Sequence, residues 1–332
     1  MDMHAYEEAK NRHLALTFSQ TSATLALCHE KAKDLCGGQV EPLRYQNKSS
    51  YLVHAGPKLE FTVGFFLDSV EISPHAIVQA GRTPPSRFAA ALSARGRVGA
   101  EDGKGMRVYL WKRVHGVSYG EFLYGIPSSN APWVFVHLCH SATVLIPGAE
   151  LETRRQDFNT RLQALPAYLD LMFPGAIEEC IRSIDSIFSI GMIMFPVDEL
   201  ILNIMADPVT CHVNGIANWA SGRPYPFGMY FHIIYWLCGD GRAMQGWGTF
   251  NDQEHKWNSF WVSFQAKLGV MPKDIMENVV SAMLAGAIID YHGTTMLLNT
   301  PRLPQGVYEC ADHKQTHTAR FIHLVLHLKQ TI

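Results

Sequence analysis

The stretch that decides the fold is Phe195–Gly228, with the sequence FPVDELILNIMADPVTCHVNGIANWASGRPYPFG. It begins with a short turn and carries acidic and amide side chains on both sides of a β-forming run at 212–216. The polar side chains that stand out by their spacing are Asp198, Asn203, Asp207 and Asn218, the last followed by Trp219. We interpret the stretch as a polar loop followed by a short hairpin.

This pattern resembles the catalytic region of the aminoglycoside phosphotransferase (choline-kinase-like) family, particularly its fungal members. There the pattern is roughly H-G-D-L-x-x-x-N-I-x-V-D, a small turn, and then G-I-I-D-W. In phosphotransferases of the protein-kinase type the Asp accepts the substrate hydroxyl proton, the Asn holds a metal ion, and a later Asp holds the metal that bridges the nucleotide phosphates. The positions that match the family pattern are Asp198, Asn203, Asp207, Gly215, Ile216 and Trp219.

The sequence also departs from the family pattern at chemically important positions. Pro196 replaces the His, Glu199 replaces the Leu, and Asn218 replaces the metal-binding Asp. In the resembled family a strand near residues 61–67 supplies a basic residue to the nucleotide phosphates, often within V-Q-F-R. The matching text here places Phe66 at that position. Ordinary strand packing explains Phe66 equally well, but in either case the cation is missing there.

The remaining chain predicts the fold class. Residues 5–36 have helical spacing, and the predicted strands are 51–54, 59–66 and 106–114. The later segments 177–190, 254–268 and 274–291 have helical spacing again. The resemblance implies an α+β, two-lobed protein-kinase-like (aminoglycoside phosphotransferase) fold. We expect an N-terminal helix and small β-rich lobe over 1–115, and a large, mainly helical lobe over 116–332.

Composition excludes several classes of partner. The 332 residues are 47% hydrophobic and 17% charged, as in a globular protein with a sizeable core. A net charge of −2 provides no basic field for nucleic acid. Seven widely spaced cysteines without C-x-x-C suit a reducing compartment. In the tail, His323 and His327 are one helical turn apart, but no acid or Cys lies near them to complete a metal site. No secretory signal and no apolar run of about 18 residues is present, so we predict a cytoplasmic protein without a membrane partner.

The departures from the family pattern predict weak or no binding of ATP with magnesium, and no other cofactor. Mg²⁺ prefers carboxylate and phosphate oxygens, whereas Asn218 offers a neutral carbonyl. The missing strand cation removes a second fixed charge facing the triphosphate. Phe65 and Phe66 point to opposite faces of their strand, so one ring is available to fill the old nucleotide site. We therefore expect an apolar space there, without a basic floor.

The favoured hypothesis is an enzyme that has kept the phosphotransferase scaffold and no longer uses ATP. Asp198, with Glu199 beside it, would be the catalytic acid or base on a hydrophobic small molecule. The residues assigned to substrate binding are Asn203, Asn218, Trp219 and Phe66. The resemblance to fungal members, which often belong to secondary-metabolite pathways, favours a cofactor-free cyclisation or isomerisation.

Three alternatives remain open from the sequence. Asp198 can persist only as a turn cap, because Asp readily accepts hydrogen bonds from nearby backbone amides. An active small-molecule kinase would use Asp198 as base, with Asn203 and either Asp207 or Asn218 around Mg²⁺. A non-catalytic pseudokinase would bind a ligand or partner without turning it over.

Overall fold

The computed structural model describes residues 3–44, 46, 49–70, 72, 92–100, 104–119, 143–144, 146–165, 173, 175–196, 203–210, 213–220, 222–233, 239–240, 248–249, 253–269, 271–298, 321–322 and 325. The chain divides into two compact units. The first unit is Met1–Ile126 with Pro196–Arg223, and the second is Pro127–Phe195 with Pro224–Ile332.

The first unit is built on a five-stranded antiparallel sheet in the order β1-β2-β3-β5-β4. Its strands are β1 Gln39–Pro42, β2 Ser50–Gly56, β3 Phe61–Leu67, β4 Ser93–Val98 and β5 Met106–Lys112. The three strands predicted from period-two patterns are confirmed, although 59–60 and 113–114 lie outside them. Strand β4, at the edge, has a register shift between Ala94 and Arg97.

Two helices, α1 Met3–Ser19 and α2 Leu25–Cys36, precede the sheet. The sequence predicted helical structure throughout 5–36, but the structure breaks it at 20–24. The break has a local cause, since Thr24 caps α2 by accepting a 3.2 Å hydrogen bond at Oγ1 from the Leu27 amide. Buried residues of α2 then join one face of the sheet in a core that includes Cys28, Ala32, Tyr51, Val53, Phe65, Met106 and Val108.

The opposite face of the sheet, here called the inner face, carries a second cluster. Its buried members are Leu52, Phe66, Ile72, Leu92, Tyr109, Trp111 and Ala220. Side chains alternate between faces along a strand, and Phe65 and Phe66 accordingly belong to different clusters. The predicted opposite orientation of these two rings is confirmed.

A small antiparallel sheet in the order β10-β9-β6 completes the first unit. Its strands are β6 Val117–Ser118, β9 Ile204–Ala206 and β10 Val213–Ile216. We expected a lobe boundary after residue 115, with the catalytic region in the large lobe. In the structure 196–223 groups with the first unit, because β9 pairs with β6 and Ala220 packs in the inner-face cluster.

The second unit is mainly helical. Its helices are α3 Gly148–Gln163, α4 Ala176–Arg182, α5 Ile184–Ser189, α6 Gln253–Leu268 and α7 Lys273–Leu298. Short strands accompany them: β7 Thr143–Val144, β8 Met192–Pro196 and β11 Gly222–Pro226 in the order β11-β8-β7, and the pair β12 Gly239–Asp240 and β13 Gly248–Thr249. The helices predicted at 254–268 and 274–291 are confirmed, whereas 177–190 is divided between α4 and α5 at Ser183.

Helix α7 is the centre of the second unit. Its middle, residues 279–288, is buried on every side. Gly286 lies so close to the Met229 carbonyl group that a Cβ atom there would collide with it. The absence of a side chain at Gly286 therefore allows close backbone packing on this helix. Despite its apolar middle, neither this helix nor any other in the described part of the chain is long and apolar enough to cross a membrane.

Candidate functional site

The structure describes four of the six predicted site residues. Phe66, Asn203, Asn218 and Trp219 all belong to the first unit. The predicted catalytic residues Asp198 and Glu199 lie outside the described residues.

The hairpin of β9 and β10 brings Asn203 and Asn218 near each other. Ile204 pairs with Ile216, and the Ala217 amide donates a 2.7 Å hydrogen bond to the Asn203 carbonyl oxygen. Asn203 directly precedes Ile204, and Asn218 lies two residues after Ile216, so both stand at the same end of the paired segment. The hairpin predicted from the sequence is therefore closed by a backbone hydrogen bond at the end where both Asn residues stand.

Asn218 has a structural task that competes with metal binding. Its side chain is 6% exposed, and its Oδ1 accepts a 3.0 Å hydrogen bond from the Ala220 amide. This oxygen is the only one that the side chain offers to a cation, and it carries no formal charge. Trp219 follows with its carbonyl oxygen accepting from the Gly222 amide at 2.8 Å. The segment is a hydrogen-bonded turn that suits a neutral residue at 218.

Asp207 also acts within a turn. Its Oδ1 accepts hydrogen bonds from the Val209 amide at 2.9 Å and the Thr210 amide at 2.8 Å. A carboxylate that bonds the amides two and three residues onward stabilises the turn that it begins. This geometry accounts for Asp207 as the residue that starts the turn between β9 and β10.

The inward-facing positions of β3 carry no positive charge. They are Thr62, Gly64 and Phe66, which alternate with the outward-facing residues of the strand. Phe66 is 2% exposed and packs edge-to-face on Tyr109, with ring centroids 5.8 Å apart. The absence of a strand cation therefore does not depend on which of the three positions is aligned with the family's basic residue.

Aromatic rings occupy the space above the middle of β3. A Cβ atom built on Gly64 would lie 2.5 Å from Cε2 of Phe66 and 2.7 Å from Cη2 of Trp111. Gly64 thus permits both rings to lie over the strand. Together with the turn at Asn218, this arrangement offers apolar rings on β3 and a neutral amide where the resembled family has a basic strand residue and a metal-binding carboxylate.

An arginine lies beside Phe66, and sequence reasoning missed it. Phe66 pairs with Arg107 across β3 and β5, and Arg107 pairs with Arg97 across β5 and β4. The expectation of an inner face without a basic floor is therefore wrong at this end of the sheet. The sequence did contain a sign of this arginine. Side chains alternate along β5, so Arg107 faces away from Met106 and Val108 and lies on the same face as Tyr109 and Trp111.

Gln46 closes the connection between β1 and β2. In protein kinases a Gly-rich loop covers the nucleotide phosphates, but residues 43–49 contain no glycine. Gln46 is 5% exposed, and its Nε2 donates to the carbonyl oxygens of Leu43 at 2.9 Å and Leu52 at 2.8 Å. Its Oε1 accepts from the Leu52 amide at 2.9 Å. No spacing rule in the sequence indicated this side-chain clamp.

His54 is the most strongly perturbed imidazole among the described residues. Burial lowers its pKa from 6.5 to about 4, and the nearby positive charges of Arg113 and His115 lower it further within that shift. Its Nδ1 shares a 3.2 Å hydrogen bond with Thr62 Oγ1 on β3. His54 is therefore neutral at pH 7 and adds no charge to the inner face.

No protein-family model matches this sequence, and no curated protein is similar enough in sequence to serve as a relative. Solved structures do resemble it. A protein from Ralstonia eutropha assigned as an aminoglycoside phosphotransferase matches with a TM-score of 0.57 and 11% identity, covering 91% of this chain and 98% of its own.

Two further structures have similar values. The GDP complex of aminoglycoside 2'-phosphotransferase-IIIa has a TM-score of 0.55 and 10% identity, over 89% of this chain and 97% of its own. Microcompartment-associated aminopropanol kinase has a TM-score of 0.52 and 10% identity, over 97% and 98%. At such identities the likeness concerns the fold alone. This chain has the α+β, kinase-like fold of the aminoglycoside phosphotransferases, with its main sheet in the N-terminal part and its helices in the C-terminal part.

Proposed function

We propose that this chain is a phosphotransferase-fold enzyme that binds a hydrophobic small molecule instead of ATP and magnesium. It would promote a cofactor-free rearrangement, such as a cyclisation or an isomerisation. The observation that carries the proposal is the pair of rings, Phe66 and Trp111, that lie over Gly64 on the inner face. Small-molecule sites are usually lined by apolar and aromatic side chains with a few polar groups.

The turn at Asn218 supports the same proposal. A neutral oxygen that already bonds the Ala220 amide is a poor replacement for a metal-binding carboxylate. An enzyme that needed Mg²⁺ to neutralise a triphosphate would lose much of its rate through this change. An enzyme that moves protons on a substrate without a triphosphate would not lose rate in this way.

Asp198 is the proposed acid or base. The loop that bears it ends at Asn203, whose carbonyl oxygen is bonded to the Ala217 amide. The substrate would contact Asn203, Asn218 and Trp219 near this loop and Phe66 on the sheet. Removal of a general acid or base typically lowers the rate by about 10²–10⁴-fold. Glu199, the next residue, is the second carboxyl group proposed for the site.

Mass spectrometry tests the reaction class directly. A cyclisation or isomerisation leaves elemental composition unchanged, whereas phosphoryl transfer adds one phosphoryl group and consumes ATP. The purified chain would be incubated with a fractionated extract of apolar metabolites, with and without ATP and Mg²⁺. We expect a product with the same composition as the compound consumed, formed equally well without ATP.

The Asp198→Asn variant is the matched control, since it keeps size and polarity and removes only proton exchange. It should form the product at least a hundredfold more slowly, with an unchanged melting curve. A phosphorylated product that requires ATP would instead establish the small-molecule kinase. Ligand-induced stabilisation without any product would establish a non-catalytic binding module.

A further inference from the structure

A row of cross-strand partners runs along one end of the inner face. Ser50 of β2 pairs with Phe66 of β3, which pairs with Arg107 of β5, which pairs with Arg97 of β4. Residues that pair directly across antiparallel strands lie on the same face, with Cβ atoms about 4.5–5.5 Å apart. Arg107 therefore stands one strand away from the ring that occupies the expected cation position.

The Arg107 guanidinium is held in place mainly by backbone oxygens. Its Nη2 donates to the carbonyl oxygen of Val70 and, at 3.4 Å, to that of Asp68. Its Nε is buried and has no hydrogen-bond partner in the part of the chain that the structure describes. Carbonyl groups orient a guanidinium without neutralising its charge. The side chain is 30% exposed, so it remains accessible to a ligand.

The Asp68 carboxylate is the shared acidic partner of two guanidinium groups, those of Arg97 and Arg107. Asp68 forms an ion pair with Arg97, and its Oδ1 lies 3.8 Å from Nε of Arg107. The three side chains together carry one net positive charge. Asp68 Oδ1 also has no hydrogen-bond partner among the described residues. The pairing of Asp68 with Arg107 is therefore a charge contact, with a donor on the arginine left unused.

We propose that Arg107 is an anion-binding residue that has taken the place of the strand cation. This inference rests on the proposed function and defines its ligand as an apolar molecule with a carboxylate or another acidic group. The acid would meet the partly exposed Arg107 side chain, and the apolar body would lie beside the cluster that buries Phe66, Tyr109 and Trp111. Arginine suits this task because its planar fork matches the oxygens of a carboxylate.

Two fluorescent probes that differ only in an anionic group distinguish the contribution of charge to binding from the contribution of apolar contact. The probes are 8-anilino-1-naphthalenesulfonate, which bears an anionic group, and N-phenyl-1-naphthylamine, which has the same aromatic framework without the sulfonate. We expect the folded chain to bind the sulfonate probe more tightly. Arg107→Met should weaken that probe about tenfold or more, as expected for one charge-assisted hydrogen bond, and leave the neutral probe unchanged.

Arg95→Met is the matched control for the loss of a surface arginine. Arg95 lies on the same strand as Arg97, but its positive charge acts on Cys36 of α2, which packs on the opposite face. The Arg95→Met substitution should leave the affinities for the sulfonate probe and the neutral probe unchanged. Asp68→Asn provides a second test that does not remove Arg107, because it leaves two guanidinium groups without their carboxylate. The sulfonate probe should then bind more tightly.

The outcomes distinguish this inference from the proposed function. Equal affinity for both probes, unchanged in Arg107→Met and Asp68→Asn, would overturn the role of Arg107 and leave an apolar site intact. Displacement of the sulfonate probe by ATP with Mg²⁺, lost in Arg107→Met, would keep the anion-binding role and overturn the proposed function. A melting curve for each variant shows that the protein compared is folded.

Discussion

Gly116 approaches Ala206 so closely that a Cβ atom built on Gly116 would lie 2.5 Å from the Ala206 carbonyl oxygen. The glycine has φ +125°, a conformation that other residues rarely adopt. It lies just before β6, which pairs with Ala206 and Met205 of β9. This contact helps to fix the segment that bears the predicted catalytic loop to the end of the five-stranded sheet.

Gly116→Ala should therefore destabilise the protein by more than backbone strain alone. Strained φ angles cost about 1–3 kcal/mol, and the collision with Ala206 adds to that cost. Gly96→Ala is the matched control, because Gly96 has φ +91° but nothing within 4 Å of its Cβ position. Urea unfolding of both variants provides the comparison. Equal losses of free energy would show that the contact with Ala206 yields easily.

Gly64→Ala should overpack the inner face. The added methyl group would meet Phe66 and Trp111, and overpacking of a core typically costs about 1–3 kcal/mol. In a Phe66→Ala background the same change should cost less, since one of the two rings has been removed and Trp111 can move into the vacated space. A double-mutant cycle measured by thermal or urea unfolding gives this coupling. Additive effects would contradict the described placement of the rings.

Asn218→Asp should not restore ATP binding. The carboxylate can still accept the Ala220 hydrogen bond, so we expect little change in Tm. The inward positions of β3 remain uncharged, so millimolar ATP with Mg²⁺ should produce no shift in Tm. A shift that grows with nucleotide concentration, as ligand linkage requires, would contradict this prediction.

Asn218→Ala tests the turn itself. It leaves the buried Ala220 amide without its acceptor, a loss that typically costs about 1–3 kcal/mol. The expected result is a lower Tm than in the Asn218→Asp variant. If both variants melt alike, the side-chain hydrogen bond contributes nothing measurable and Asn218 is available to a ligand.

Stability should fall between neutral pH and pH 4 because of His54. Its pKa is lowered to about 4 in the folded protein, mainly by burial, compared with 6.5 when unfolded. The unfolded state therefore takes up the proton first as pH decreases. The contribution of neutral His54 is complete above the unfolded pKa and is lost as pH falls through the folded value, an effect of about 1–3 kcal/mol.

His54→Asn removes this titration while other groups continue to titrate. The free energy of unfolding of the parent chain should fall more steeply between pH 6.5 and 4 than that of the variant. Urea unfolding at several pH values measures both slopes. Parallel slopes would mean that protonated His54 is as well accommodated in the folded protein as in the unfolded chain.

Local patterns in the sequence predicted much of the fold. Strands β2, β3 and β5 follow from alternating apolar residues, and the same alternation separates Phe65 from Phe66. Helices α6 and α7 follow from helical spacing. The start of α2 was not predicted, because a single Thr24 hydroxyl group interrupts a pattern that is otherwise helical.

The chemistry of the inner face depended on long-range pairing that the sequence does not display. Arg107 becomes a neighbour of Phe66 only through the register of β3 with β5. The same strand pairing brings Arg107 close to Asp68, which follows β3. Gln46 likewise acquires its role only when the chain turns back on itself at β2. Spacing along one segment identifies the residues of a loop, but it does not identify cross-strand neighbours.

Gln46 provides the acceptor for one backbone amide of the first hairpin. Its amide group joins Leu43 to Leu52 and receives the Leu52 amide hydrogen. Amide hydrogens that bond between paired strands exchange with solvent when the strands separate. The Leu52 amide hydrogen bonds to a side chain, so we expect it to exchange when the Gln46 side chain breaks that hydrogen bond. The hydrogen-exchange rate of the Leu52 amide therefore reports how often this side-chain hydrogen bond breaks. In Gln46→Ala it should accelerate alone, while the amides of the β2–β3 ladder keep their rates.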